Sequence, residues 1–116
     1  MMGPKDFTGS ALPGRVTRGL TLPENYLAVM RRRNVNLSHL IELGWTNWAR
    51  AGRRDWPTLQ RGACRRKVTT VTLQHPTALA IAQAEQQGMN FSAWVEGLLR
   101  EAYPPVFLAG GQVNWL

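Results

Sequence analysis

Apolar and polar residues alternate with a period of two in two short stretches, Val16-Thr17-Arg18-Gly19-Leu20-Thr21-Leu22 and Val68-Thr69-Thr70-Val71-Thr72-Leu73. That spacing, rich in β-branched residues, predicts two single strands with Leu20, Leu22, Val71 and Leu73 on one face. After each strand the period lengthens. Pro23 and Pro76 stand where a helix begins, because a proline in the first turn gives up no hydrogen bond. Helices are expected over residues 24–33 and 76–87, ending at Asn34 and Gly88, the residue types that best tolerate a left-handed backbone. Ser38 and Ser92 then read as N-caps of two further helices, with Glu42 and Glu96 nearby. Their apolar faces are Ile41, Gly44, Trp45 and Trp48 in the first, and Val95, Leu98, Leu99 and Ala102 in the second.

The chain matches itself. Leu20-Thr21-Leu22 aligns with Val71-Thr72-Leu73 at an offset of 51, and Asn36-Leu37-Ser38 aligns with Asn90-Phe91-Ser92 at an offset of 54. The three extra residues amount to almost one helical turn, so a helix shortened by that much keeps its buried face. A lone strand leaves its backbone polar groups unsatisfied, so the two strands are expected to pair antiparallel as a ribbon over the helices.

Charge refines this picture. The 116 residues carry 14 basic and seven acidic side chains, a formal +7, which favours a polyanionic partner and nucleic acid first. Seven of the basic residues but one acidic residue lie within 50–67, a stretch containing Gly and Pro that reads as a basic linker. Trp56, among these arginines, either caps the core or stacks on a base. At 44% apolar residues the chain can bury a core, and no run reaches the roughly 18 apolar residues of a membrane span. The first seven residues lack the apolar stretch of a secretory signal, and Cys64 is the single cysteine. A cytoplasmic, nucleoid-associated protein without a membrane partner is the expectation.

The strands and helix starts quoted above resemble the ribbon-helix-helix family of DNA-binding proteins, and the chain resembles a tandem, single-chain form of it. The expected fold is mainly α, with two ribbon-helix-helix repeats and one two-stranded antiparallel ribbon over four helices. The expected segments are a flexible arm at 1–14, a first repeat at 15–49, a basic linker at 50–66, a second repeat at 67–103 and an apolar tail at 104–116.

The resemblance implies that the ribbon enters the major groove of double-stranded DNA and that amides opening the second helix hold a phosphate. Carried onto this chain, the base-contacting positions are Thr17, Gly19 and Thr21 in one strand and Val68, Thr70 and Thr72 in the other. Arg18 joins them if a bulge at Gly19 turns it outward. Phosphate contacts fall to Ser38 and Ser92, to Arg15 and Lys67 where the strands begin, and to Arg53, Arg54, Arg65 and Arg66 of the linker. The implied uses are transcriptional repression or an accessory role at a plasmid or phage site such as a transfer origin or partition site. One ribbon reads few base pairs, so self-association on DNA is expected.

An alternative is a protein-binding adaptor or antitoxin-like module that uses the apolar tail, in which Phe107 and Trp115 either dock on a partner or fold back. Catalysis has little support: Cys64 has no base set beside it by any motif, and His39 and His75 lie at helix starts. No cofactor and no metal site are expected.

Overall fold

The computed structural model describes residues 14–53, 65–108 and 113. The chain runs through β1 (Arg15–Pro23), α1 (Glu24–Arg32), α2 (Leu37–Arg50), β2 (Arg66–Gln74), α3 (His75–Gln86) and α4 (Phe91–Ala102). β1 and β2 form one two-stranded antiparallel sheet without a bulge, in which Thr17 faces Thr72, Gly19 faces Thr70 and Thr21 faces Val68.

The division into two ribbon-helix-helix repeats is overturned. Among the described residues there is a single ribbon with four helices, and each half of the chain holds the strand of the other. The amide of Thr72 in β2 donates to Ser38 Oγ of α2 at 3.0 Å, and the amide of Thr21 in β1 donates to Ser92 Oγ of α4 at 2.9 Å. Neither half satisfies its own strand, so neither stands as a unit.

Local sequence explains the helix ends. α1 closes with Asn34 at φ 54°, the amide of Val35 donating to Met30 O and that of Asn34 to Arg31 O. α3 closes in the same way at Gly88, φ 107°, through Met89 to Ala84 O and Gly88 to Glu85 O. Both are Schellman motifs, in which the left-handed residue lets two otherwise unpaired carbonyls be satisfied. α1 has nine residues and α3 twelve, the one-turn difference that the two sequence offsets imply.

The inward ribbon residues Leu20, Leu22, Val71 and Leu73 are buried against the helices. The core is lopsided. α4 buries Phe91, Ala93, Trp94, Val95, Glu96 and Leu99, whereas α2 buries only Ile41 completely. Trp94 lies at the centre, meeting Trp45 and Trp48 edge-on with ring centroids at 5.3 and 6.0 Å. The expected helix faces are adjusted accordingly: Ile41, Val95 and Leu99 are buried, Trp45, Trp48 and Leu98 are half-buried, and Ala102 is exposed.

The start of the tail belongs to this core. Val106 and Phe107 are buried, Phe107 packs on Tyr26 at 4.7 Å, and the Tyr26 hydroxyl donates to Leu108 O at 2.6 Å. Trp115, the expected arm over residues 1–13 and linker residues 54–64, including Arg54, Trp56 and Cys64, lie outside the described residues.

Candidate nucleic-acid interface

Ahead of its terminal Pro23–Arg66 pair, the outer face of the ribbon carries four cross-strand pairs, Arg15 with Gln74, Thr17 with Thr72, Gly19 with Thr70 and Thr21 with Val68. Side chains alternate across a strand, so directly opposed residues share a face. Arg15, Thr17, Gly19, Val68, Thr70 and Gln74 are exposed, and Thr21 and Thr72 half-exposed because the serine-bearing helix starts lie beside them. All six positions assigned to base contact by strict alternation are therefore gathered on one surface.

Arg18 is the exception. The regular register leaves no bulge at Gly19, so Arg18 stays on the inward face opposite Val71. Its guanidinium pairs with Glu85 at 3.0 Å and lies 5.0 Å from the centroid of Phe91. An arginine held by a carboxylate and an aromatic ring beneath the sheet is removed from the outward set.

Two-stranded ribbons have two open edges, each with amides that no neighbouring strand takes up. Here the helices take them. Ser38 and Ser92 are not the N-caps: Asn36 and Asn90 are, their side chains accepting from the amides of His39 and Ala93. The serines, each the second residue of its helix, are left to accept the edge amides of Thr72 and Thr21. Thus their hydroxyl oxygens tie down the ribbon as acceptors, each O–H remains a donor, and the helix starts that carry them flank the outer face.

The next edge position differs between the strands. In β2 the amide of Gln74 donates to Glu42 Oε2 at 2.6 Å, and the other oxygen of Glu42 accepts from the Thr77 hydroxyl. In β1 the matching residue is Pro23, which has no N–H to satisfy. Glu96, which matches Glu42, is thereby released for another partner. It lies buried and accepts from Arg66 Nη2 at 2.7 Å, while Arg66 also donates to Thr21 O at 2.7 Å.

The basic residues assigned to phosphates consequently divide. Arg15 is exposed at one end of the face and Arg65 is exposed beside the other. Arg66, half-buried, pairs with Glu96 at 2.7 Å, because a buried carboxylate needs a counter-charge. Lys67 is exposed but pairs with Glu24 at 3.3 Å, and Arg53 lies 4.1 Å over the Trp48 ring and 3.6 Å from Glu101.

Sequence reasoning missed two residues. Gln74 continues the outward alternation one step past Leu73, and extending the period by two would have found it. His39 is exposed and lines, with Arg15, Ser38, Thr72 and Gln74, a polar cleft of about 470 Å³ beside the ribbon. Only the folded chain brings His39 there, since α2 and β2 meet through tertiary packing.

No group of three potential metal ligands occurs among the described residues, and no described helix is long and apolar enough to cross a membrane. Compared with known proteins, the chain matches no protein-family model, no curated protein and no solved structure.

Proposed function

We propose that this protein binds double-stranded DNA in a sequence-specific manner by laying its β-ribbon in the major groove, in the manner of ribbon-helix-helix proteins. The observation that carries this reading is the outer face itself: eight opposed residues with no covering element among the described residues and no acidic side chain. Acids around its ends are engaged, Glu42 by Gln74 and Thr77, Glu24 by Lys67 and Glu96 by Arg66. A ribbon of this width fits a groove about 12 Å wide, and threonine, glutamine and arginine can reach base edges there. The formal +7 charge supplies attraction to phosphates irrespective of sequence.

On this reading the protein is a DNA-binding regulator or site-marking accessory, either a transcriptional repressor or a component at a plasmid or phage transfer origin or partition site, and not an enzyme. The rival reading, an adaptor working through an apolar tail, loses Val106 and Phe107 as docking residues, because both are buried in the protein's own core.

Selection of bound fragments from a pool of random duplexes, followed by sequencing and a salt titration on the enriched site, tests the proposal. An enriched motif of a few base pairs with affinity falling steeply as salt rises is the expected result. Absence of any enrichment, together with salt-independent binding, would refute it.

A further inference from the structure

The two ends of the ribbon's outer face are chemically unlike. At one end Arg15 opposes Gln74, both exposed, beside the polar cleft that also holds His39. At the other end Thr21 opposes Val68, a valine left 73% exposed. Of the cations close to that second end, Arg66 is held by buried Glu96 and Lys67 pairs with Glu24, while Arg65, just before the strand, is exposed. The residue matching His39 on α4 is Ala93, which is buried.

We infer that the ribbon is a directional reader, in which the Arg15–Gln74 end recognises purine edges and the Thr21–Val68 end recognises thymine methyl groups. This deepens the DNA-binding reading and rests on it. Arginine donates in bidentate fashion to guanine O6 and N7, glutamine pairs with adenine N6 and N7, and an aliphatic side chain packs on the thymine methyl. The occupant is duplex DNA on grounds of charge complementarity, since the face presents Arg15 and hydroxyls with no carboxylate among them. From Arg15 to Thr21 the strand advances roughly 20 Å at about 3.3 Å per residue. At about 3.4 Å per base pair, the two readers lie about six base-pair steps apart. The bound site is therefore non-palindromic, with a purine-determined flank and a thymine-determined flank, and the molecule occupies it in one orientation.

Selection from random duplexes with the full chain and with Gln74→Ala and Val68→Ala tests this, combined with replacement of single thymines by uracil in the selected site. Both positions are exposed, so unchanged circular dichroism and thermal unfolding serve as the folding control. Gln74→Ala should relax base preference about tenfold at one flank only. Val68→Ala should abolish the wild-type preference for thymine over uracil at the opposite flank and leave the first flank unchanged. A palindromic wild-type consensus, both variants acting on the same flank, or thymine preference surviving Val68→Ala would overturn directionality while leaving DNA binding intact. A wild-type chain that enriches no sequence would overturn the DNA reading itself.

Discussion

Gly44 shows how closely α2 approaches α4: a β-carbon built there would lie 2.5 Å from Leu98 Cδ1 and 2.9 Å from Cδ2. Alanine favours a helix over glycine by about 1 kcal/mol, but overpacking costs about 1–3 kcal/mol. Gly44→Ala should therefore lower stability by about 1 kcal/mol in chemical unfolding, the overlap outweighing the helix gain. In a Leu98→Ala background the overlap is gone, and the same glycine substitution should stabilise. Burial pushes the Tyr26 phenol above its ordinary value of 10, with the neighbouring Arg100 guanidinium opposing the shift. Because the folded value is raised, its contribution is complete below pH 10 and is lost as pH rises through the folded value. Tyr26→Phe should cost about 1 kcal/mol at neutral pH through the lost bond to Leu108, and should flatten the alkaline fall in stability. Residue identities on the ribbon were legible in the sequence because a period of two fixes which side chains share a face. The fate of Arg18 was not, since Glu85 and Phe91 reach it only in the folded chain.

The strands and helices were legible for a related reason. Proline after each strand, and Asn34 and Gly88 at left-handed positions, are local signals that tertiary contacts did not override. The N-caps were misplaced by two residues because serine and asparagine are both good caps, and only the edge amides of the ribbon decide between them. With Asn36 and Asn90 capping, Ser38 and Ser92 are free to hold Thr72 and Thr21. Replacing either serine by alanine should cost about 1 kcal/mol, since a partly buried amide loses its acceptor. Amide exchange of Thr72 should accelerate in Ser38→Ala and that of Thr21 in Ser92→Ala, each without a comparable effect on the other strand. Equal acceleration at both sites in either variant would mean that the ribbon frays as a whole instead of being pinned at each edge.

For the molecule as a whole, the decisive arrangement is a ribbon that, among the described residues, helices cover on one face only. The division into two repeats failed because each strand is satisfied by the other half's helix, a long-range exchange that local matching of sequence does not reveal. Likewise the matched glutamates Glu42 and Glu96 do different work, because proline at residue 23 removes the amide that glutamine at residue 74 retains. The proposed function requires that the open face lie against DNA. Thr70, exposed opposite Gly19, marks the middle of that face, and Gln86 is an exposed residue of α3 away from it. Thr70→Glu and Gln86→Glu change the net charge equally, so affinity for a selected duplex at fixed salt separates contact from bulk electrostatics. Thr70→Glu should weaken binding at least tenfold more than Gln86→Glu does, as a carboxylate in the groove meets acceptors and phosphates. Equal affinities for the two variants would contradict that placement.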